Sequence, residues 1–222
     1  MRVLYHFWLS PFCRKARMTL SEKGLDFELA VERFWERRHE FLARNPAGQV
    51  PVLVEDDGPV LADSQAIVEY LEEIAPEPPL IGSTPQARAE CRRITASFDQ
   101  KFYTEVTDYL LTEKLLKRFM GMGEPQTELI RIGTRNMAYH LDYISYLSER
   151  RNYLAGERFT LADIAAAAQL SCLDYLGSVA WEQHGAAKDW YARVKSRPCM
   201  RAILGDHVAG LPPPKHYANL DF

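Results

Sequence analysis

The sequence predicts a small α/β domain over residues 1–75, followed by an all-α helical bundle over residues 86–209. In the first part, short apolar runs of strand length alternate with amphipathic segments, which is the pattern of an α/β unit. In the second part, helical periodicity continues to about residue 120 without a strong breaker, and such long helices suit a bundle. Residues 76–85 are rich in proline, glycine and serine, so we expect a rigid linker there.

The composition indicates a globular protein with no bulk attraction to polyanions. The 222 residues carry a net charge of -3, 47% of them are hydrophobic, and the pI is near 6.1. This balance gives no pull toward nucleic acid or anionic membranes, and no apolar run approaches the length that spans a bilayer. Because the start of the chain lacks the regions of a signal peptide, we expect a cytoplasmic protein.

The four cysteines, Cys13, Cys91, Cys172 and Cys199, are widely spaced along the chain. They form no C-x-x-C pair and no cluster with the spacing of metal ligands. The sequence therefore indicates neither a disulfide scaffold nor a metal site, and it fits a reducing compartment.

Strands and helices alternate through the first domain. Residues 3–7 read as a buried strand, and the helix that follows begins near Pro11 and ends at Gly24. Residues 26–31 read as a second strand, which a helical crossover places parallel to the first. The domain continues with a strand, a hairpin turn, a short antiparallel strand and a final helix, at residues 49–54, 56–58, 59–61 and 65–75.

Ser10 stands at the predicted start of the first helix, just before Pro11. A helix start presents free N–H groups and a partial positive charge, so a hydroxyl held there can donate to a bound thiolate. The alternative interpretation is structural: Ser10 serves as an N-cap, and Cys13 is a small buried apolar side chain. This stretch alone leaves both interpretations open.

Two later features could also contact a ligand. Pro51 begins an otherwise buried strand, and if its peptide bond is cis, the N–H and C=O of Val50 are free to pair with a ligand's peptide group. Asp63 and Ser64 open the next helix, and Ser64 there is suited to hold a carboxylate.

The helical domain carries folding signals rather than catalytic ones. A second long helix is predicted over residues 126–151, and on it His140 reads as a packed, hydrogen-bonded histidine. Thr160 and Asp163 form a capping box before an alanine-rich helix at residues 164–176, with Phe159 as a staple. The run of four alanines at residues 165–168 permits close helix contact, so this helix is expected at the centre of the bundle.

Two apolar surface features have both a structural and a partner-binding interpretation. Trp35 lies beside Phe34 among arginines, in a region at residues 32–42 that reads as a loop with a short helix. Clusters of this composition are typical of interface hot spots. The tail at residues 210–222 is kept extended by prolines, and its apolar side chains, Tyr217, Leu220 and Phe222, must pack on the body or bind another molecule.

In this order and spacing, several short motifs make the chain resemble the cytosolic glutathione transferase superfamily over essentially its whole length. These motifs are Ser10-Pro11-Phe12-Cys13, Asn45-Pro46, Gln49-Val50-Pro51, Asp63-Ser64 and Thr160-Leu161-Ala162-Asp163. The resemblance implies a thioredoxin-like first domain, an all-helical second domain, a homodimer, and glutathione as the co-substrate of a site on the first domain.

The resemblance also implies a role for each matching residue. Ser10 would donate to the glutathione thiolate and lower its pKa. Val50, held by a cis Pro51, would pair with the cysteinyl backbone. Asp63 and Ser64 would take the γ-glutamyl end, with Asp63 standing where the family usually carries the longer glutamate or glutamine. Gln49 could reach the glycyl end.

A narrower likeness is to the FtsZ-localised protein A group, bacterial division factors that keep the transferase fold and bind filaments of the tubulin-like protein FtsZ. It is carried by Phe34-Trp35 and by residues 98–102, 139–143 and above all 212–222. It implies that the helical-domain surface and the tail face the partner. The partner-facing residues expected are Trp35, Tyr217, Leu220, Asp221 and Phe222.

Two functions therefore follow from the resemblance. The first is a division adaptor that binds FtsZ filaments and keeps a vestigial or weak glutathione site. The second is a glutathione S-transferase that conjugates glutathione to small electrophiles, with Ser10 activating the thiol. In the adaptor, a two-fold dimer would present each contact twice, so avidity could offset weak single contacts.

Overall fold

The computed structural model describes residues 1–56 and 58–220 of the chain. The chain divides into two compact units, Met1–Pro79 and Leu80–Phe222. The division falls inside residues 76–85, where the sequence places the linker.

The first unit is built on a four-stranded mixed sheet with helices between its strands. The strands are β1 (Arg2–His6), β2 (Phe27–Val31), β3 (Val52–Val54) and β4 (Val60–Ala62), in the order β2-β1-β3-β4. The helices are α1 (Pro11–Glu22), α2 (His39–Arg44) and α3 (Ser64–Ile74), with a 3-10 turn at Phe34–Glu36. Strand β2 runs parallel to β1, whereas β3 and β4 are antiparallel to their neighbours. The predicted order of elements and the parallel second strand are confirmed.

Helices α1 and α3 pack on one face of this sheet through aliphatic side chains. The core there is formed by Leu4, Ala16, Leu20, Leu53, Ile67 and Leu71. Each of these side chains is fully buried, and burying one aliphatic side chain contributes about 1.5–3 kcal/mol. The core therefore fixes α1 and α3 against the same sheet.

The end of α1 is held by a buried lysine. The Nζ atom of Lys23 lies 2.6 Å from Glu72 Oε1 and donates to the carbonyls of Ala75 and Pro78, at 2.6 and 3.1 Å. Gly24 follows with φ +64°, a left-handed conformation that glycine adopts freely. The predicted helix end at Gly24 is confirmed, and the lysine also satisfies carbonyls beyond the last turn of α3.

His6, at the end of β1, has an unusual environment for a polar ring. The side chain is fully buried, and neither ring nitrogen has a hydrogen-bond partner within the described part of the chain. The ring packs edge-on against Trp8, with centroids 4.5 Å apart. Burial first, and then the positive charges of Arg17 and Arg14, lower its pKa to about 3, so this histidine is neutral.

The second unit is helical. Its helices are α4 (residues 85–120), α5 (Thr127–Ser148), α6 (Leu161–Tyr175), α7 (Gly185–Lys195) and α8 (Pro198–Leu204), with a 3-10 turn at Trp181–Gln183. The two long helices predicted at residues 86–120 and 126–151 are present, with ends shifted by up to three residues.

Helix α4 is continuous but not uniform. It is α-helical at Pro85–Ala96, π-helical at Ser97–Thr107 and again at Thr112–Leu116, and α-helical in between and at its end. A side chain of α5 bonds to the backbone in the first π-helical stretch: Asn136 Nδ2 donates to the carbonyl of Glu105 at 2.9 Å. Periodicity in the sequence predicted the helix but not its π-helical turns.

Helix α6 lies at the centre of the bundle, as the alanine run predicted. Every residue from Leu161 to Tyr175 is buried. The predicted capping box is also confirmed: Thr160 N donates to Asp163 Oδ2 at 3.0 Å, and Ala162 N donates to Thr160 Oγ1 at 3.3 Å. Asp163 additionally accepts from Leu154 N and from Trp190 Nε1, at 2.9 and 3.0 Å. One carboxylate therefore starts the central helix and ties two other segments to it.

The C-terminal segment is more folded than its prolines suggested. Val208 and Leu211 form an isolated antiparallel bridge, and residues 215–218 form turns rather than an extended chain. Tyr217 N donates to the carbonyl of Pro214 at 3.0 Å. The expectation of an extended tail is therefore corrected for the described residues: prolines 212–214 lead into a compact turn. Asp221 and Phe222 lie outside the described residues.

Two general properties bear on function. Among the described residues, no helix combines the length and the apolar character that crossing a bilayer requires. Within the same residues, no group of three or more histidine, cysteine, aspartate or glutamate side chains is arranged to hold a metal ion.

Candidate functional site

Ser10 caps the first helix, as the sequence predicted. Its Oγ accepts from the backbone N of Cys13 at 3.3 Å, and its carbonyl accepts the first helical bond, from Arg14 N at 3.0 Å. The residue is 8% exposed. Capping uses a lone pair of the hydroxyl and leaves its hydrogen, which has no acceptor within the described residues, able to donate. The structural and the chemical interpretations of Ser10 are therefore compatible.

Cys13 is placed where the structural interpretation puts it. The side chain is fully buried, and its Sγ accepts from the backbone N of Phe7 at 3.4 Å. A thiol enclosed in this way is not an exposed nucleophile. Ser10 is therefore the group at this helix start that could meet a ligand's sulfur.

The loop before β3 has the cis proline that frees the backbone of Val50 to meet a ligand. The Val50–Pro51 peptide bond is cis. The carbonyl of Gln49 accepts from Asn45 Nδ2 at 2.8 Å, which ties the loop to the end of α2. Asn45 Oδ1 also accepts from Ala47 N at 3.2 Å, so a single buried amide organises the turn that leads to Val50.

Asp63, rather than Ser64, is the cap of helix α3. Its Oδ1 accepts from the backbone N of Gln65 and Ala66, at 2.7 and 3.1 Å, and Ser64 is the first helical residue. Asp63 has φ +75°, and an aspartate in that region costs about 1 kcal/mol. The Asp63 carboxylate is exposed, and the capping hydrogen bonds use only its Oδ1. Ser64 beside it is 5% exposed. A carboxylate held in this way can accept from an ammonium group.

Lys15 is a residue of this region that the sequence analysis did not single out. Its side chain is fully buried on α1, and its Nζ donates to Gln65 Oε1, in the first turn of α3, at 3.3 Å. The contact links the helix that Ser10 starts to the helix that Asp63 caps. No local pattern could reveal it, because the two residues are far apart in sequence and meet only when both helices pack on the sheet.

These groups together suit a short acidic peptide that contains a thiol. The start of α1 offers a hydroxyl donor and a partial positive charge, and the start of α3 offers the Ser64 hydroxyl and the Asp63 carboxylate. A hydroxyl that donates to a thiolate favours the ionised form, which is the nucleophile. The chemistry that this arrangement supports is thiol activation without a metal.

Trp35 is half-buried rather than fully displayed. Its ring packs edge-on against Phe7 and Phe34, with centroids 5.3 and 5.1 Å away. One neighbouring arginine forms an ion pair: Arg38 Nη2 lies 2.5 Å from Oε2 of the buried Glu32. The aromatic cluster is thus anchored to the end of β1, with part of the Trp35 ring at the surface.

His140 is held as the sequence predicted. It is 7% exposed, and its Nε2 lies 3.0 Å from Glu105 Oε2, next to the edge of Phe102. Burial lowers its pKa, and Glu105 opposes that shift. His140 helps to line a surface cavity of about 540 Å³ between α4 and α5, in which Arg93 pairs with Glu90 and Lys101 pairs with Glu105. Because Arg93 and Lys101 are both paired with carboxylates, neither is an unpaired cation for an anionic ligand.

Comparison with known proteins defines the class. Residues 4–79 match the family model described as glutathione S-transferase, N-terminal domain, and residues 132–198 match the glutathione S-transferase, C-terminal domain. A crystal structure of a glutathione S-transferase from Rhodospirillum rubrum F11 is 54% identical, with a TM-score of 0.98 and 100% of both chains covered. The chain belongs to the glutathione S-transferase family.

Within that family, the chain is similar to a protein that is named for its localisation with FtsZ. FtsZ-localized protein A of Caulobacter vibrioides is 47% identical, over 100% of this chain and 98% of that protein. The solved structure titled FzlA from C. crescentus superposes with a TM-score of 0.97 and covers 100% of this chain and 99% of that chain. The similarity includes the C-terminal segment that follows the helical bundle.

Proposed function

We propose that this chain is a bacterial cell-division adaptor that uses a glutathione S-transferase scaffold to bind FtsZ filaments. The observation that carries the proposal is the full-length similarity to FtsZ-localized protein A, which extends through the folded C-terminal segment. A proline-rich segment that is docked on the helical unit and presents the exposed Leu220 is suited to contact a protein surface. Binding to FtsZ would place the site of action in the cytoplasm.

The structure changes which residues the proposal uses. Leu220 is 43% exposed and is a proposed contact, together with Asp221 and Phe222, which lie outside the described residues. Trp35 is proposed as a second contact through the exposed part of its ring. Tyr217, by contrast, is fully buried, so its role in the proposal is to anchor the segment rather than to touch a partner.

A homodimer is part of the proposal. Two copies related by a two-fold axis present each contact twice, so a filament with many identical subunits can be bound at two points at once. The second contact is then intramolecular, and the overall affinity exceeds that of either contact. Sedimentation equilibrium of the purified chain measures the oligomeric state directly.

Leu220→Asp is expected to weaken binding to FtsZ filaments about tenfold, because it places a charge in an apolar contact. The measurement is co-sedimentation with FtsZ polymerised by GTP, over a range of concentrations of this protein. Met122→Asp is the matched control, because it introduces the same charge at a methionine that is 55% exposed in the loop between α4 and α5.

The control variant should bind like the wild-type protein. If the wild-type chain fails to co-sediment with filaments, the proposed function is wrong. If Leu220→Asp and Met122→Asp bind equally well, the C-terminal segment is not the contact, although the adaptor function itself survives.

The second candidate function is glutathione conjugation, and the specific observation in its favour is the geometry of Ser10. The hydroxyl sits at a helix start with its hydrogen free to donate, and Asp63 and Ser64 begin a second helix tied to the first through Lys15. The site residues proposed are Ser10, Gln49, Val50, Pro51, Asp63 and Ser64. In the adaptor, the same residues would form a weak or vestigial glutathione site.

Ser10→Ala is expected to lower the rate of glutathione conjugation at pH 6.5 by about tenfold or more, because the thiolate loses a hydrogen-bond donor. The deficit should shrink as the pH rises toward the ordinary thiol pKa of about 8.5, where glutathione ionises without help. Initial rates with a chromogenic electrophile, measured from pH 6 to pH 9, give this profile.

The control for this variant addresses the helix cap that Ser10→Ala also removes. Thr84→Ala removes the corresponding cap of α4, where Thr84 Oγ1 accepts from Ala87 N at 3.1 Å, at a similar cost of about 1 kcal/mol. It should keep the wild-type pH profile. No heat of binding in a calorimetric titration with millimolar glutathione would rule out the transferase function and leave the adaptor proposal untouched.

A further inference from the structure

A buried carboxylate on the central helix bonds to the C-terminal segment. The side chain of Asp174, near the end of α6, is fully enclosed. Its Oδ1 accepts from Trp181 Nε1 at 2.8 Å and lies 3.1 Å from His216 Nε2. A carboxylate can only accept, so Nε2 of His216 carries the hydrogen in this contact. His216 itself is about half exposed, which means that the segment reaches the carboxylate from the surface side.

A buried lysine holds the same segment at two further atoms. Lys195, the last residue of α7, donates from Nζ to the carbonyls of His216 and Asn219, at 3.3 and 2.6 Å. Its Nζ also lies 3.9 Å from Asp174 Oδ2. Burial lowers the pKa of Lys195 to about 8, and Asp174 opposes that shift. Asp174 and Lys195 thus lie next to each other, and both contact His216.

Apolar and hydroxyl contacts fix the segment on either side of this pair. Tyr217 packs edge-on against Tyr175, with centroids 5.1 Å apart, and donates to the carbonyl of Ile203 at 3.0 Å. The hydroxyl of Tyr175 donates to the carbonyl of Leu211 at 2.8 Å. The chain is therefore held at residue 211, at residues 216–217 and at residue 219, directly before the exposed Leu220.

We infer that Asp174 is a positioning residue, which, through His216 and together with Lys195, holds the C-terminal segment in one place and so fixes where Leu220 is presented. For the partner that Leu220 meets, the inference rests on the proposed function. Ordering the segment before binding removes the entropy loss that a free chain end would suffer on contact. The adaptor would then carry a preformed contact rather than a flexible tail.

The test separates the docking of the segment from filament binding. His216→Phe keeps a ring of similar size but loses the Nε2 donor, whereas His216→Gln restores an N–H that can reach Asp174. Amide hydrogen exchange over residues 211–220 is expected to speed up about tenfold in His216→Phe and to return close to the wild-type rate in His216→Gln. A merely space-filling role for His216 would favour the phenylalanine variant instead.

Asp174→Asn and His207→Phe complete the set. The first keeps an acceptor for Trp181 and His216 but removes the charge that faces Lys195, and it is expected to speed up exchange over the same residues. The second makes the same substitution at the exposed His207, just before Val208, and should change nothing. If Asp174→Asn does not fold, the two variants of His216 still decide the outcome.

Unchanged exchange in His216→Phe overturns the inference, whatever the filaments do. Faster exchange with rescue by His216→Gln supports it, and a parallel loss of co-sedimentation in His216→Phe supports its link to the partner. Faster exchange with undiminished co-sedimentation overturns that link. If the wild-type chain does not bind filaments at all, the proposed function fails, and hydrogen exchange alone decides whether Asp174 positions the segment.

Discussion

Replacing Asp163 with alanine is expected to lower the free energy of unfolding by about 4 kcal/mol, because it strands several buried donors at once. The carboxylate accepts from the backbone of Leu154 and Thr160, from the Thr160 hydroxyl and from Trp190 Nε1, at distances between 2.9 and 3.2 Å. Burial raises the pKa of Asp163, which shows that enclosing its charge carries a cost. That cost is relieved in the variant, so the loss is smaller than the sum of four hydrogen bonds.

Urea unfolding, followed by circular dichroism, measures this effect. Asp189→Ala is the matched control, since Asp189 is an exposed aspartate on α7, and its substitution should change stability by less than about 0.5 kcal/mol. A loss below about 1 kcal/mol for Asp163→Ala would mean that the central helix does not depend on this residue for its start. The capping box would then be a local feature without the wider role that its contacts indicate.

His6→Leu is expected to remove a specific loss of stability in mild acid. In the folded chain the pKa of His6 lies at about 3, compared with 6.5 in the unfolded chain, so the unfolded state binds the proton more readily. Above pH 6.5, His6 therefore does not lower the free energy of unfolding. As the pH falls from 6.5 toward 3, the free energy of unfolding falls progressively. At pH 5 the loss amounts to about 2 kcal/mol relative to pH 8.

Urea unfolding at pH 8 and at pH 5 gives the comparison. The difference between the two pH values should be about 2 kcal/mol smaller in His6→Leu than in the wild-type protein. His39→Leu, at an exposed histidine in the first unit, serves as the control and should keep the wild-type difference. An identical pH dependence in His6→Leu and wild type would show that His6 takes up a proton without unfolding.

The fold was largely predictable because its signals are local and repeated. Strand β2 and helix α1 follow from runs of apolar residues, and Gly24 and Asp163 mark helix ends through backbone chemistry that operates within a few residues. The π-helical turns of α4 could not be predicted from periodicity, and one of them bonds to Asn136, a residue of α5 that is distant in sequence. The folding of the tail was missed for the same reason: Lys195 and Asp174 lie outside it.

In the candidate site, too, residues with local signals were predicted and residues that depend on packing were not. Ser10 and the Asp63-Ser64 pair were found because they stand at helix starts, although the residue types alone did not show that Asp63 rather than Ser64 is the cap. Lys15 was missed, as its contact with Gln65 exists only after two helices have packed on one sheet. Tyr217 carried an ambiguous signal, and the structure selects packing on the body, because the sequence of the tail cannot show which of its apolar side chains finds a pocket.

Strand β2 lies at the edge of the sheet, and this has a consequence for how the protein behaves at high concentration. Leu29 and Val31 on this strand are 37% and 50% exposed, in a five-residue run whose single charge is Glu28. Edge strands with such composition invite pairing with strands of other molecules, and a charge within them discourages it. We therefore expect the charge of Glu28 to oppose aggregation through this edge, an effect separate from folding and from partner recognition.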